Sequence, residues 1–251
     1  MATLYVVGTP IGNLEDITLR ALRALKEADL IFAEDTRVTK KLLAHFEIGT
    51  PVARTHTRDE KRAAAEIISA LKSGKNVAVV SDAGTPGISD PGAMLVQKVR
   101  EYFQSDKVQP FSRSKVEPCR IEVVPGPSAL TAALSIAGVP ASDFIFLGFL
   151  PHKKGREKIF KEIAESDRVV IFYESPHRIL KTLESFREHL QGLTLSGKKV
   201  KPLRERQVVI CRELTKVHEE VKSGSAAELL EFFKSNPEKV RGEFVVLVSK
   251  K

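Results

Sequence analysis

The stretch Asn76-Val77-Ala78-Val79-Val80-Ser81-Asp82-Ala83-Gly84-Thr85-Pro86-Gly87 joins an apolar run to a loop that is rich in glycine and proline. Uninterrupted apolar runs of this kind are typical of parallel strands that are buried on both faces. Helical patterns precede and follow the run, from Glu60 to Leu71 and from Ala93 to Phe103. A strand between two helices predicts the α/β class, in which helices cover a parallel sheet.

The same alternation of strand and helix extends over the N-terminal half of the chain. Further strands are predicted at Leu4 to Val7, Leu30 to Ala33, Val52 to Arg54 and Ile121 to Val124. We expect Asp16 to cap the first helix and Gly74 to end the helix that begins near Glu60. Together these elements predict a doubly wound, mostly parallel sheet in an N-terminal α/β lobe, residues 1–138.

The C-terminal half has a different pattern, and the stretch from Gly138 to Ser142 is the predicted boundary. Beyond it, several strands are separated by few helices, which predicts a mixed sheet in a second α/β lobe, residues 139–251. Ser225 and Glu228 have the spacing of a capping box, so we expect a helix to begin there.

The composition is that of a folded chain, since 42% of the 251 residues are hydrophobic and 29% are charged. Cys119 and Cys211 are too few for a disulfide framework or a metal cluster, so no metal is expected. No apolar run approaches the roughly 18 residues that span a bilayer. The start, from Met1 to Val7, lacks the basic region of a signal peptide, so we expect a cytoplasmic protein that does not enter membranes.

The chain is basic, because 40 Lys and Arg residues stand against 32 Asp and Glu, for a net charge of +8. In the cytosol such a charge favours a polyanionic partner, first of all RNA, although a basic surface also serves solubility alone. Two polar, basic stretches interrupt the alternation, from Gln104 to Arg120 and from Gln191 to Arg206, and both are predicted to be long surface loops.

Three loops with glycine and proline follow predicted parallel strands, where open α/β sheets bind their ligands. They run from Gly8 to Asn13, from Ser81 to Gly92 and from Pro125 to Ser128. The sequence contains neither G-x-G-x-x-G in these loops nor G-x-x-x-x-G-K-[ST], so a standard dinucleotide site and a P-loop are both disfavoured. Asp82 can accept hydrogen bonds from ribose hydroxyls or from an ammonium group. The alternative is a tight turn in which an aspartate caps the next helix.

These loops and five further motifs resemble the ribosomal RNA small-subunit methyltransferase I family, a branch of the tetrapyrrole-methylase superfamily. The motifs follow the family's order along nearly the whole chain: Leu4 to Thr18, Ala33 to Arg37, Ser81 to Gly92, Pro125 to Ala129, Gly148 to Pro151, Phe172 to Arg178, Arg212 to Lys216 and Arg241 to Glu243. The resemblance implies a tetrapyrrole-methylase-like (class III methyltransferase) fold with two α/β lobes, residues 1–138 and 139–251, and S-adenosylmethionine in the cleft between them. It also implies 2′-O-methylation of a cytidine ribose in 16S ribosomal RNA of the small ribosomal subunit, usually by a homodimer.

Residue by residue, the resemblance assigns the cofactor contacts and no metal. The contacts are Pro10, Asp82, Ala83, Gly84, Thr85, Ser128, Ala129, Tyr173, Leu214, Gly242 and Glu243. Family members often continue past the last strand with a basic helical tail, whereas this sequence ends at Lys251. We expect the two basic loops to supply that charge to RNA, although either loop can also be an ordinary surface insertion.

Methyl transfer to a 2′-hydroxyl requires that oxygen, methyl carbon and sulfur lie in line and that a proton is removed. Glu34, Asp35 and Arg37, at the end of the second predicted strand, are the candidate catalytic residues. Asp35 can orient the ribose, and Arg37 can pair with a phosphate. A carboxylate or a lysine can take the proton, or no base is needed if the proton leaves late to water. The alternative is an Asp35–Arg37 ion pair that only caps the following helix.

A second candidate cluster, Glu174, His177 and Arg178, follows a strand of the C-terminal lobe. Two other functions remain open at this point. One is methylation of a small tetrapyrrole, although such enzymes typically carry Gly-x-Gly-x-Gly in the first loop, where this sequence has Gly8-Thr9-Pro10-Ile11-Gly12. The other is a non-catalytic RNA-binding module for ribosome assembly, which the presence of every cofactor loop disfavours.

Overall fold

The structure is a computed structural model that describes residues 1–55, 60–89, 92–104, 118–152, 155–190 and 206–250. By its contacts the chain divides into two units, Met1–Ser128 and Ala129–Lys251. The sequence boundary at residue 138 assigns the helix Ala129–Ile136 to the first lobe, whereas this helix packs against the last strand of the chain and groups with the second unit.

The first unit alternates strands and helices, as the sequence predicts. Its strands are Thr3–Val7 (β1), Leu30–Ala33 (β2), Val52–Arg54 (β3), Val77–Val80 (β4) and Arg120–Val124 (β5). Its helices are Leu19–Glu27 (α1), Thr36–His45 (α2), Glu60–Lys72 (α3) and Gly92–Gln104 (α4). Within the described residues the strands form one sheet in the order β3-β2-β4-β1-β5, and all neighbours in it are parallel.

Strand β4 lies in the middle of this sheet and is buried on both faces. Val77 and Val79 pack into a core with α3 and α4, whereas Ala78 and Val80 pack into a second core with α1 and α2. Side chains alternate between the faces of a strand, so an unbroken apolar run is what two helical layers require. The predicted doubly wound sheet is confirmed.

The first helix begins later than the sequence predicts, so the assignment of Asp16 as its cap is wrong. Asp16 lies in a short 3₁₀ turn, Leu14–Asp16, which Asn13 caps. The cap of α1 is Thr18, whose hydroxyl accepts a hydrogen bond from the Ala21 N–H at 3.0 Å. At the end of α3, Gly74 adopts a φ of 82° and its N–H donates to the Leu71 carbonyl, as predicted.

The second unit contains the remaining elements and a mixed sheet. Its strands are Phe144–Phe149 (β6), Val169–Glu174 (β7), Arg206–Arg212 (β8), Glu220–Gly224 (β9) and Phe244–Lys250 (β10), and its helices are Ala129–Ile136 (α5), Arg156–Glu165 (α6), Ile179–Leu190 (α7) and Ala226–Ser235 (α8). Among the described residues the sheet order is β6-β7-β10-β8-β9, with β6 and β7 parallel and the other pairs antiparallel. The predicted mixed sheet is confirmed, as is the capping box of Ser225 and Glu228 at α8.

The helices α6, α7 and α8 cover one face of the second sheet and form its core with the apolar side chains of β7, β8 and β10. In the described part of the chain, no helix is both long enough and apolar enough to cross a membrane.

The ends of β1 and β5 meet through two glycines. The Gly8 N–H donates to the Val124 carbonyl at 3.0 Å. A Cβ atom on Gly8 would lie 2.8 Å from the Gly126 Cα, and one on Gly126 would lie 2.8 Å from the Gly8 carbonyl oxygen. Both distances are shorter than real Cβ contacts, so neither position has room for a side chain.

We therefore expect Gly8→Ala to lower the free energy of unfolding by about 1–3 kcal/mol, the usual cost of forcing a methyl group into a filled site. Gly49→Ala is the matched control, because nothing lies within 4 Å of the Cβ it would add. The measurement is urea-induced unfolding of both variants. Equal midpoints for the two variants would contradict the close approach of Gly8 and Gly126.

Candidate functional site

The first candidate site is the edge of the first sheet at which its parallel strands end. There the loop after β1 pairs with the loop after β4 through two reciprocal hydrogen bonds. The Thr9 N–H donates to the Gly84 carbonyl at 2.9 Å, and the Gly84 N–H donates to the Thr9 carbonyl at 3.1 Å. Thr9 is almost fully buried, so it belongs to the framework of this edge rather than to its exposed surface.

Two further hydrogen bonds extend this framework to the other loops. The Thr85 hydroxyl donates to the Pro127 carbonyl at 3.1 Å, which joins the loops after β4 and β5. The Asp82 carboxylate accepts from the Asp35 N–H at 2.8 Å, which joins the loops after β4 and β2. The loops after β1, β2, β4 and β5 are thereby held in one framework.

Gly84 is the position at which this framework needs glycine. Its φ is 80°, a conformation that side chains rarely adopt, and a Cβ there would lie 3.4 Å from the Ile11 Cγ2 atom. The adjacent Asp82 and Ala83 are exposed. A ligand can therefore approach Asp82, including the carboxylate oxygen that Asp35 does not use, and Ala83, whereas Gly84 is buried and bonded to Thr9.

The other predicted cofactor residues of this region lie next to the framework. Pro10 is half-buried and follows Thr9, Ser128 is buried, and Ala129 is the first residue of α5. Asp90 and Pro91, the last residues of the predicted Ser81 to Gly92 loop before its final glycine, lie outside the described residues.

Asp35 and Arg37 form the polar group at the end of β2. The Asp35 carboxylate caps α2 by accepting the Arg37 N–H at 2.9 Å. It also pairs with the guanidinium, with 2.6 Å between Oδ2 and Nη2 and 3.0 Å between Oδ1 and Nε. The Arg37 side chain is nevertheless 86% exposed. Within the described residues, Asp35 contacts Nε and Nη2 of Arg37. The Nη1 group of Arg37 faces solvent and can donate to another acceptor.

These contacts determine the charge of Asp35. The hydrogen bond from the Arg37 side chain, followed by that from the Arg37 backbone, holds the pKa of the Asp35 carboxyl well below its usual range. A general base works best when its pKa is near the operating pH. Asp35 is therefore a fixed anion suited to orienting a hydroxyl group.

The second candidate site is at one edge of the second sheet. The register pairs Phe244 of β10 with both Glu174 of β7 and Arg212 of β8. Tyr173 is the penultimate residue of β7, Leu214 follows β8, and Gly242 and Glu243 precede β10. The structure thus brings together four of the cofactor residues predicted in this unit: Tyr173, Leu214, Gly242 and Glu243.

A lysine that the sequence analysis did not single out holds this second edge together. The Lys216 ammonium group donates to the Glu213 carboxylate at 2.9 Å and to the Glu243 carboxylate at 2.8 Å. The Glu213 carboxylate also accepts the Glu243 N–H at 2.9 Å and fills the space that a side chain on Gly242 would occupy. The signal was present in the Arg212 to Lys216 motif, where a glutamate and a lysine lie three residues apart.

The backbone around Leu214 is strained. Glu213 and Thr215 both have positive φ angles, 51° and 65°, although neither is glycine. Such conformations cost on the order of 1–3 kcal/mol each and persist only where neighbouring contacts enforce them. The contacts of Lys216 and Glu213 enforce these two conformations. They thereby fix the position of Leu214, which lies between the two strained residues.

Glu174 and Arg178, from the second predicted cluster, belong to a buried network. The Glu174 carboxylate accepts from Arg178 Nε at 2.6 Å and from the Thr182 hydroxyl at 2.7 Å. Arg156 donates to the same hydroxyl at 2.6 Å, and burial lowers the pKa of its guanidinium. Glu174 is 1% exposed, so this network is part of the interior of the second unit and has a structural role. His177 lies beside it and is exposed.

Among the described residues, no group of three or more His, Cys, Asp or Glu side chains is arranged to hold a metal ion.

In the comparison with known proteins, the family profile and the relatives agree on one family. The profile of the family "Tetrapyrrole (Corrin/Porphyrin) Methylases" matches residues 3–230. "Ribosomal RNA small subunit methyltransferase I" of Thermotoga maritima is 43% identical over 252 residues, and the match covers 100% of both chains. The protein of the same name from Pseudomonas aeruginosa is 44% identical, over 98% of this chain and 78% of that protein.

Solved structures share the fold at low sequence identity. A cobalt precorrin-4 methyltransferase of cobalamin biosynthesis aligns with a TM-score of 0.65 at 19% identity, covering 98% of this chain and 94% of that one. Uroporphyrin-III-C-methyltransferase from Thermus thermophilus aligns with a TM-score of 0.62 at 19% identity, covering 100% and 95%. The predicted fold class is confirmed by these neighbours.

The lowered pKa of Asp35 predicts that the stability of the native state depends on pH. Its native pKa lies below the value of about 3.9 for an unfolded aspartate, so its ionised form stabilises the native state above that pH. Asp35→Asn removes the ion pair and keeps a side-chain acceptor for the cap. We expect urea unfolding to show a constant stability deficit of this variant above about pH 5 that shrinks as the pH falls below about 4.

Asp35→Ala is the control for this series, since it removes both the cap and the ion pair. The difference between the Asn and Ala variants should not change with pH, because neither side chain titrates. A wild-type advantage over Asp35→Asn that persists undiminished at pH 3 and below would contradict the ion pair as its source.

Proposed function

This chain belongs to the tetrapyrrole (corrin/porphyrin) methylase family, and from that premise we propose that it methylates ribosomal RNA of the small subunit with S-adenosylmethionine as methyl donor. One observation carries the proposal: relatives named as ribosomal RNA small subunit methyltransferase I match essentially the whole chain at 43–44% identity. The chain is an enzyme, a methyltransferase of this family. The same match disfavours the non-catalytic module, because it extends over the full length of the Thermotoga maritima methyltransferase.

The tetrapyrrole alternative is less well supported. The tetrapyrrole methyltransferases that align with this chain are 19% identical, a level at which the likeness extends to the fold alone. Their substrate therefore does not transfer to this chain. The first loop, Gly8-Thr9-Pro10-Ile11-Gly12, also lacks the Gly-x-Gly-x-Gly pattern typical of those enzymes.

The residues of the first site fit S-adenosylmethionine. This cofactor carries ribose hydroxyls, a carboxylate and an ammonium group but no phosphate, so a carboxylate and open backbone groups suit it better than a phosphate-binding loop. Asp82 offers one carboxylate oxygen that is not used by Asp35, and the adjacent Ala83 is exposed. S-adenosylmethionine supplies an activated methyl group on a sulfonium centre, and the protein has to bind it and align the acceptor.

We assign the cofactor contacts within the first site to Pro10, the Asp82–Thr85 segment and Ser128, with Ala129 next in the chain. In the second unit we assign them to Tyr173, Leu214, Gly242 and Glu243. Support for the second set comes from the way Lys216 fixes the backbone around Leu214 and Glu243, since a cofactor contact needs a rigid frame.

The acceptor that we propose is the ribose 2′-oxygen of a cytidine in 16S ribosomal RNA. Asp35, which stays ionised, accepts a hydrogen bond from the ribose and orients it. Arg37 binds an adjacent phosphate through its exposed guanidinium, and Glu34 takes the hydroxyl proton as the carbon–oxygen bond forms. Because the proposed substrate is the small ribosomal subunit, we propose that the enzyme is cytoplasmic. We also propose that its active form is a homodimer.

RNA binding needs cations beyond Arg37. Lys40 and Lys41 lie on the same exposed face of α2 as Arg37, one turn further along the helix. We propose that this face contacts RNA phosphates. The basic stretches 104–120 and 191–206 are proposed as further RNA contacts on their sequence alone, since residues 105–117 and 191–205 lie outside the described residues.

The first functional prediction concerns the cofactor. Isothermal titration should detect binding of S-adenosylmethionine that is unchanged by EDTA, and the chain should transfer its methyl group to unmethylated small ribosomal subunits. Gly84→Val should weaken binding about tenfold or more, equivalent to about 1.4 kcal/mol, because the added side chain meets Ile11 and the Pro127 carbonyl and displaces the Asp82–Thr85 segment.

The matched control for this variant is Gly74→Val. Both glycines have a φ near 80°, but Gly74 ends α3 in open space. The backbone strain is thus the same in both variants. If both lose affinity equally, or if neither does, the cofactor does not bind at the Asp82–Thr85 segment. Binding that disappears with EDTA would contradict a metal-free site.

The second functional prediction concerns RNA. Each lysine that neutralises a phosphate contributes about −0.7 to the slope of log affinity against log salt for single-stranded RNA. Replacing Lys40 and Lys41 by Ala should flatten this slope, and so should replacing Lys198, Lys199 and Lys201 together. Affinity for S-adenosylmethionine should not change in either variant.

A pair of lysines on α6 serves as the control for charge itself. Lys158 and Lys161 are exposed and lie near Glu162 and Glu165, so their replacement by Ala should leave the slope unaltered. If the control variant flattens the slope as much as the others, RNA responds to net charge and not to these surfaces.

A further inference from the structure

Phe149 is an aromatic residue that the proposed function does not yet use. It is the last residue of β6, and its side chain is 57% exposed, more than Tyr102 or Phe144, the other large aromatic residues exposed in the described ranges. The residues on either side of it, Gly148 and Leu150, are buried. Phe149 is therefore the most exposed apolar side chain of β6, ahead of Phe144 and Leu147, which are each 38% exposed.

A β-bulge directs this ring. The register of β6 against β7 shifts between Phe146 and Phe149, where Gly148 has a φ of 62°. The shift places Phe149 opposite Tyr173, and the two rings lie edge to face with 5.5 Å between their centroids. Phe146 also contacts Tyr173, with 5.0 Å between the ring centroids. The result is a row of three rings that ends in the exposed one.

The backbone next to Phe149 is fixed by the buried charged network. Arg178 donates to the Leu150 carbonyl at 2.8 Å, and Arg156 donates to the Pro151 carbonyl at 3.1 Å. Both arginines are held by Glu174 and Thr182. Rigid elements hold a recognition side chain with more precision than loops, so this arrangement is suited to presenting a ring to a ligand.

We propose that Phe149 is a stacking residue for a base of the RNA substrate, an inference that rests on the proposed function. The acceptor nucleotide must lie beside the cofactor, and Tyr173, the neighbouring ring, is one of the proposed cofactor residues. Enzymes that modify nucleotides work on unstacked nucleotides, and aromatic side chains replace the lost stacking of the base. The ring at the outer end of the row is placed for that contact.

The area of the surface argues against a second copy of the chain as the occupant. A stable protein interface covers about 800 Å² on each partner, which is several times the surface of one phenylalanine side chain. Phe144 and Leu147, each 38% exposed on the same strand, add to the surface of Phe149, but the three side chains together still fall well short of that area.

The test compares Phe149→Leu, which keeps an apolar side chain, with Phe149→Trp, which keeps a π-face. Methyl transfer to unmethylated small ribosomal subunits is measured with labelled S-adenosylmethionine. We expect Phe149→Leu to raise the KM for subunits about tenfold, within the range for loss of one stacked base, while Phe149→Trp stays near wild type. Phe144→Leu, on the same strand, is the control and should behave as wild type.

Two further measurements distinguish the occupants of the site. Titration with S-adenosylmethionine should give the wild-type Kd for Phe149→Leu, and light scattering should give the wild-type mass. An unchanged KM, a parallel loss of cofactor affinity or a change of mass would each overturn base stacking at Phe149. Failure of the proposed function has a separate signature, because wild type would then transfer no methyl group to the subunits.

Discussion

The backbone contact between the loops after β1 and β4 is the constraint on which the first unit depends. Thr9 and Gly84 exchange two hydrogen bonds, and the glycines at positions 8 and 126 let a third loop approach at the same place. Side chains play little part in this contact, so it fixes the shape of the edge while leaving its outer surface free for ligands. The exposed carboxylate of Asp82 and the ion pair of Asp35 with Arg37 are both carried by this frame.

Asp35 shows how structural and chemical roles combine in one residue. It caps α2, pairs with Arg37 and donates its own N–H to Asp82. The two interpretations of the Asp35–Arg37 pair, a helix cap or a group that acts on substrate, are therefore not exclusive. The cap holds the Asp35 carboxylate in place and keeps it ionised. The guanidinium of Arg37 is paired with this carboxylate and is exposed.

The sequence predicts this architecture well where the signal is local or periodic. The apolar run of β4 follows from burial on both faces, and the Ser225 capping box from spacing alone. The cap of α1 was missed because Asp16 and Thr18 are both good caps, and the 3₁₀ turn that separates them has no periodic signal. Lys216 was missed for another reason: its second partner, Glu243, is distant in the chain and becomes a neighbour only through the pairing of β8 with β10.

The position of β1 has a consequence for how the first unit forms. Although β1 opens the chain, it lies inside the sheet, where Leu4 pairs with Val77 on one side and with Ile121 on the other. Loop closure over such separations carries an entropic cost before any contact offsets it, and folding slows as contact order rises. During synthesis the first strand therefore has no neighbour until β4 has left the ribosome, and the sheet cannot close until β5 follows. The apolar start of the chain therefore stays without its strand partners until most of the first unit has been synthesised.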